Sequence, residues 1–382
     1  MLTHKGTTAR NAVFTCLYQA EYPLTKQELA QRSGLSLPTV YQAFNALDAE
    51  GLIEAAEVRG STGGRRAQAY TLAAGRAAAI GISLTGNQMR AVACDLFGQL
   101  MPAYERQIAM PASGNDAGRD PVEALSIQLG TMATELTDAL QADGIRPLGV
   151  GIAVPSAIDP ASGALVNTTV LGIQGQMCSV EDLMARIELP TLVANDAACG
   201  GFAEQWDGDA STSSLVYLSL ERGVGGSIIV DGKPLNGQGG ASGEFGHMCL
   251  EPGGRRCACG NRGCLEAYCS TACLSDNLGL TLDAFFARLD SGETEATAAW
   301  NDFADHLAHG IQLIHMAFDL EIVLGGMLAQ YLPQHLDALM ERIERLGSYG
   351  NPREYLRLTR HPHHAVPLGA AQQALQRFID SM

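Results

Sequence analysis

At 382 residues the chain is too long for one ordinary domain, which implies two or three. Hydrophobic residues make up 46% and charged residues 17%, the balance of a globular protein with a sizeable core, and the net charge of −16 excludes a general polyanion binder. No uninterrupted apolar run reaches about 18 residues, so no membrane span is expected. The N-terminal MLTHKGTTARNAVFTC lacks the apolar run and small-residue cleavage site of a signal peptide, so the expected location is the cytoplasm. There the ten Cys stay mostly reduced, and a tight cluster of them reads as metal binding before it reads as disulfides.

The charge is uneven. Residues 1–75 carry seven Lys and Arg against six Asp and Glu, about +1, which leaves about −17 for the remainder. A small, nearly neutral module therefore precedes a large acidic body.

In the module, Val13, Phe14, Leu17 and Tyr18 recur at helical spacing over 7–20. Thr25 and Glu28 form a capping box for a short helix that Gly34 ends. Ser36 caps a third helix that turns Val40, Phe44 and Leu47 inward and leaves Thr39, Tyr41, Gln42 and Asn45 outward. Helix, short turn, helix is the arrangement whose second helix enters a major groove. Two β-like segments, Leu52–Val58 and Ala67–Leu72, then flank a tip that holds Arg59, Gly63, Gly64, Arg65 and Arg66. This is the pattern of a winged helix, with Arg65 and Arg66 suited to phosphates or a narrow minor groove. The plainer alternative is a helical hairpin for protein contacts.

From residue 76 strand and helix patterns alternate. AAAIGISL, MRAVACDL and PAYERQIA read as strands, Pro121–Asp143 as a long helix, and LGVGIAVP and PTLVAND as further strands. A second set follows: SLVYLSL, GGSIIVDG, several helices, EIVLGG and a last helix from about Leu368. Two α/β lobes in tandem imply a ligand cleft between them.

His247, Cys257, Cys259 and Cys264 fall in the spacing H-x9-C-x-C-x4-C. One imidazole and three thiolates make a closed tetrahedral zinc site, structural rather than catalytic, with one Zn2+ per chain. Cys249, Cys269 and Cys273 are left as packing residues, Cys249 as strand interior.

Four stretches together resemble one family: LVANDAACGGFAE (192–204), GVGGSIIVDGKPLNGQGGASGEFGHM (223–248), CACGNRGCLE (257–266) and IVLGG (322–326). The chain is similar to the ROK (repressor, open reading frame, kinase) family over nearly its whole length, specifically to the repressor branch that carries a winged helix. The implied fold class is α/β: a winged helix-turn-helix (1–75) followed by a two-lobed actin-like, ribonuclease H-like sugar-kinase fold. Its lobes are expected at 76–198 and 199–367, with a helix of about 368–382 packing back on the first. The zinc signature of the family matches at each of the four ligands.

The resemblance implies that Glu244, His247 and Glu266 face a sugar, with Asn195 a hydroxyl partner and Asp196 in the place of the kinase general base. The chemistry agrees: a carboxylate accepts two hydrogen bonds from vicinal hydroxyls, and a metal-bound His holds the loop in place. Taken alone, Asn195 and Asp196 equally suit a helix N-cap, and Glu244 and Glu266 a solvated surface. Ser156 stands where the family usually has Gly.

The nucleotide half departs from the kinases. SLTGN places Ser83, Thr85 and Asn87 where they carry Asp, Gly and Thr, and Glu221 and Arg222 replace Gly and Thr in the second phosphate loop. A glutamate beside a triphosphate is unfavourable. Gly325 and Gly326 suit a tight turn into a helix. The expectation is a sugar-responsive transcriptional regulator, a repressor of carbohydrate-utilisation genes. It binds operator DNA as a dimer or higher homo-oligomer and takes a sugar or sugar phosphate as effector. The alternative is an active or bifunctional ATP-dependent sugar kinase with a DNA-binding domain.

Overall fold

The computed structural model describes residues 8–56, 68–85, 88–110, 120–166, 171–173, 177–208, 213–238, 240–347 and 349–382. The chain divides into two compact units, one of Met1–Ile152, Val180–Val193 and Ala370–Met382, the other of Ala153–Ser179 and Ala194–Gly369.

The first unit opens with α1 (Ala9–Tyr18), β1 (Leu24–Thr25), α2 (Lys26–Ser33), α3 (Leu37–Ala49), β2 (Ile53–Ala56) and β3 (Ala69–Leu72). Thr8, Thr25 and Ser36 cap the three helices, and the capping box is complete, with Thr25 N donating to Glu28 Oε2 at 2.7 Å. Val13, Phe14, Leu17, Val40, Phe44 and Leu47 are buried, as their helical spacing predicts. The strands form a sheet of order β1-β3-β2, with Ile53 opposite Leu72. The expected tip residues Arg59, Gly63, Gly64, Arg65 and Arg66, and the segment ends Val58 and Ala67, lie outside the described residues.

The body continues with β4 (Ala77–Leu84), β5 (Gln88–Cys94), β6 (Arg106–Ala109), α4 (Pro121–Ala142), β7 (Arg146–Val154), α5 (Val180–Met184) and β8 (Thr191–Asn195). These strands make a sheet of order β6-β5-β4-β7-β8. β4 is buried throughout, and α4 buries Leu125, Leu129, Met132, Leu136 and Leu140 on one face. PAYERQIA is strand only from Arg106. Its first half is a 3-10 turn closed by Tyr104 N on Met101 O at 3.0 Å, a place for Pro102 that a sheet ladder would not offer.

The rest comprises α6 (Asp196–Trp206), β9 (Leu215–Leu220), β10 (Val224–Val230), β11 (Lys233–Pro234), α7 (Glu266–Cys269), α8 (Leu282–Asp290), α9 (Thr294–Phe318), β12 (Glu321–Gly325), α10 (Leu336–Arg345), α11 (Pro352–Tyr355), β13 (Leu356–Leu358) and α12 (Ala365–Asp380). The second sheet runs β11-β10-β9-β12-β13. Numbered within each set, both sheets have the order 3-2-1-4-5, so the body is a duplicated ribonuclease H-like fold. Trp300, Phe303, Leu307, Ile311 and Ile314 of α9 pack in one core with Val216, Leu218, Ile322 and Leu324.

α12 starts at Ala365, three residues before the expected Leu368. Two glycines let it approach other backbone. A Cβ on Gly151 of β7 would lie 2.0 Å from Ala370 O, and one on Gly369 would lie 1.8 Å from Cys199 O of α6. No side chain larger than hydrogen fits at either place.

Candidate functional site

On α3, Tyr41, Gln42 and Asn45 are exposed, whereas Thr39 is half-buried and shares a 2.7 Å hydrogen bond with Ser36 at the cap. Thr39 thus serves the start of its own helix. The Lys26 ammonium lies 3.9 Å from the Phe44 ring centroid and 4.6 Å from that of Tyr41, which fixes a positive charge beside the helix. Sequence reasoning did not single out Lys26. Arg65 and Arg66 lie outside the described residues.

His247, Cys257, Cys259 and Cys264 present ligand atoms that all lie within 4.8 Å of one another. His247 Nδ1 and Cys257 Sγ are 3.8 Å apart, as are the sulfurs of Cys259 and Cys264. A tetrahedron of thiolates at about 2.3 Å from a zinc ion has edges of about 3.8 Å, the spacing of these two pairs, so the donor set suits the metal. Nδ1 is the nitrogen on the thiol side, which leaves Nε2 facing Glu244 Oε2 at 3.9 Å. A metal on Nδ1 would fix the tautomer that presents an N–H from Nε2 to that side. The loop folds through a bridge between Arg256 and Arg262, and Gly260 and Gly263 take positive φ there. Behind it Glu251 accepts from Tyr268 at 2.8 Å and meets His306 at 3.1 Å, while Arg255 pairs with Asp302 of α9 at 2.8 Å. This anchoring network was not foreseen.

The carboxylates gather around this loop. Asp196 begins α6, and its Oδ1 accepts from Ala197 N at 2.7 Å. Burial, reinforced by the nearby charge of Glu244, pushes its pKa up to about 7 against the pull of that N–H. Glu244 is raised too, by burial and by Glu266, with His247 opposing. Glu266 begins α7; its Oε2 accepts from Val224 N at 3.0 Å, and its Oε1 lies 3.7 Å from Cys257 Sγ. It links the metal loop to the start of β10. Gly246 makes the packing possible, because a Cβ there would lie 2.0 Å from Val224 O. Asn195 is already engaged: its Oδ1 caps α6 through Ala198 N at 3.0 Å, and its Nδ2 donates to Ser156 O at 3.3 Å. Asp196, Glu244, His247 and Glu266 therefore form one electrostatically linked group, with Asn195 shaping the loop beside it.

The strand-end loops after β4 and β9 are used internally. Glu221 Oε1 accepts from Met327 N at 2.9 Å, and Glu221 O accepts from Thr271 N at 2.8 Å. Met327 opens the one-turn 3-10 helix that follows Gly325 and Gly326. Arg222 is paired with Asp276 at 2.5 Å. Ser83 is buried on β4 and reaches Arg90 O at 3.4 Å; Thr85 donates to Gln88 O at 3.1 Å; Asn87 lies outside the described residues.

A winged helix ahead of a duplicated ribonuclease H-like body, with a His/Cys3 cluster beside a group of carboxylates, defines a DNA-binding module joined to a sugar-kinase-type body. Residues 79–377 match the ROK family and residues 16–54 match winged helix-turn-helix DNA-binding domains, and the chain belongs to the ROK family. It is 32% identical over 272 residues to an N-acetyl-D-glucosamine kinase of Escherichia coli O139:H28, covering 63% of this chain and 86% of that kinase. An N-acetylmannosamine kinase of Salmonella typhimurium is 30% identical over 306 residues, 76% of this chain and 96% of the kinase. The fold matches that of a ROK family transcriptional regulator, a homologue of the E. coli MLC protein, with a TM-score of 0.75 at 20% identity over 97% of both chains. The ROK hexokinase of Thermus thermophilus has a TM-score of 0.62 at 27% identity over 79% of this chain and 99% of its own. Among the described residues no helix is long and apolar enough to cross a membrane.

Proposed function

We propose that this chain is a sugar-responsive transcriptional regulator, a repressor of carbohydrate-utilisation genes that binds two operator half-sites as a homodimer. The observation that carries the reading is the asymmetry of the site. Asp196, Glu244, His247 and Glu266 converge beside a metal-ready loop, whereas Glu221 spends its carboxylate on Met327 N, at the turn where a nucleotide-binding relative needs room and positive potential. Hexoses and N-acetylhexosamines, the substrates named for kinase relatives, are the effector class that this group of acceptors suits. Structural Zn2+ is held by His247, Cys257, Cys259 and Cys264, and its role is to fix the His247 ring and the loop that carries Glu266. Operator contacts come from Tyr41, Gln42 and Asn45, with Arg65 and Arg66 on the backbone or minor groove. The effector acts by binding one of two conformational states more tightly, which shifts the population that binds DNA.

The test combines selection of genomic fragments by the full-length protein with thermal-shift and mobility-shift titrations of hexoses, N-acetylhexosamines and their phosphates. A sugar that raises Tm and changes operator affinity supports the reading; a protein that selects no fragment refutes it.

The second reading, an active sugar kinase, is favoured by the setting of Asp196 at the strand end, where desolvation pushes its carboxyl up to about 7, the range in which a general base works best. Sugar-dependent ADP release at or above about 1 s⁻¹, lost in Asp196→Asn, would establish it.

A further inference from the structure

Cys249 and Cys264 face one another across an isolated antiparallel bridge in the metal loop. Leu250 N bonds Gly263 O at 2.7 Å and Leu265 N bonds Met248 O at 2.9 Å, one on each side of the pair. With bonds flanking it and none within it, this is a non-hydrogen-bonded pair, in which Cα atoms approach to about 4.5 Å and side chains lie closest. That spacing falls inside the range of about 4.4–6.8 Å found for disulfides. Cys249 Sγ packs against the neighbouring Gly263, where a Cβ would lie 3.3 Å from it and 1.9 Å from Glu251 O, so only glycine fits beside the pair. The two thiols differ in setting. Cys264 is buried within the four-ligand group, whereas Cys249, expected as strand interior, is exposed because its strand is a single bridge; it stands outside that group, with its thiol 3.6 Å from Arg262 O. Zinc on the four ligands would shield their sulfurs from peroxide and leave the exposed Cys249 accessible to it.

We propose that Cys249 is a redox-modification site that, on oxidation, forms a disulfide with the zinc ligand Cys264 and so opens the metal loop. The inference rests on the zinc reading above. Hydrogen peroxide is the oxidant. The Cys249 sulfur attacks one peroxide oxygen, the O–O bond breaks, and Cys249 sulfenic acid and one water result. The Cys264 thiolate then attacks the Cys249 sulfur. The S–S bond forms, the S–O bond breaks, and the departing hydroxide takes up a proton as a second water. The two sulfurs lose two electrons and the peroxide gains them. His247, Cys257 and Cys259 remain as three donors, too few for a closed site, and the support behind Glu244 and Glu266 is lost.

The full-length protein, purified reduced and then freed of reductant, is treated with graded hydrogen peroxide beside Cys249→Ser. Zinc release is followed with a chromogenic chelator, and disulfides are mapped on non-reduced peptides. The wild type is expected to yield the Cys249–Cys264 linked peptide and to lose zinc at least about tenfold faster than Cys249→Ser, reversibly with a dithiol and added zinc. Equal release from the variant overturns the proposal, as does a dominant Cys259–Cys264 or Cys257–Cys259 linkage in the wild type. Reduced protein without zinc overturns the metal assignment instead, and the linked peptide then decides the pairing by itself: its absence ends the proposal.

Discussion

Asn11 Nδ2 donates to the carbonyl of Ile379 at 2.6 Å, which ties the first helix of the winged module to the last helix of the chain. Thr8 Oγ1 adds a bond to Met382 O at 2.5 Å, and Glu50 is shared between Arg10 at 2.6 Å and Arg146 at 3.0 Å. The division into units falls within α12: 365–369 belong to the unit of Ala194–Gly369, and 370–382 to the unit that holds the winged module and the first sheet. Its Gly369 abuts Cys199 O on α6, the helix that Asp196 begins. Asn11→Ala is therefore expected to leave operator binding within about twofold but to remove much of the effector response, since allosteric couplings are worth about 1–3 kcal/mol. Operator affinity measured with and without sugar checks it; an unchanged ratio would exclude α12 as the link.

Metal content is the simplest check on the His/Cys3 group. One zinc per chain is expected in protein purified without added metal. Stripping it with a chelator should lower Tm while α1–α3 still bind DNA, because the loop belongs to the other unit. Elemental analysis near zero with an unchanged Tm would rule the site out.

The position of Asp196 predicts a pH dependence with a definite sign. Its carboxyl titrates near 7 rather than at the usual 3.8, so it gains its charge between pH 6 and 8. If only the ionised form accepts the sugar hydroxyl, affinity weakens about tenfold from pH 8 to pH 6. A raised carboxyl pKa also means the charged form is penalised in the fold. The penalty is absent below about pH 3.8 and complete above about 7, so this group lowers stability as pH rises. Asp196→Asn should flatten both profiles. Calorimetry and thermal unfolding at pH 6, 7 and 8 provide the measurement.

Removing either flanking carboxylate tests the proposed sugar site directly. Glu244→Ala and Glu266→Ala are expected to lose the sugar response and keep operator binding. Glu266→Ala should be the more damaging, because Val224 N loses its 3.0 Å acceptor as well. A lost charged acceptor is worth about 1.5–3 kcal/mol, roughly 10- to 150-fold in Kd. Wild-type sugar affinity in both variants would place the site elsewhere.

On the DNA side, Gln42→Ala or Asn45→Ala should relax base preference by about 1–3 kcal/mol at one position each. Arg65→Ala and Arg66→Ala should weaken binding to all sequences alike and reduce its salt dependence. Binding-site selection with each variant separates the two patterns.

Local chemistry fixed much of this protein from the sequence alone. The capping box at Thr25 and Glu28 and the buried spacing of Val40, Phe44 and Leu47 depend on neighbours within a few residues and appear in the structure as read, and His247, Cys257, Cys259 and Cys264, within 18 residues of chain, come together in one cluster. Strand order, by contrast, was open, and β11 and β13 escaped notice because two or three residues carry no periodicity. Tertiary structure also decided which polar groups were already in use. Asn195 and Asp196 look alike at a strand end, yet Asn195 is bound at both ends of its amide, to Ser156 O and Ala198 N, while Asp196 accepts from Ala197 N through Oδ1 and feels the charge of Glu244. Glu221 reads as a charge misplaced near phosphates until its bond to Met327 N, 106 residues away, shows what it holds. Sequence spacing reveals donors and acceptors, but only the folded chain decides which of them are already satisfied, because their partners lie far along the sequence.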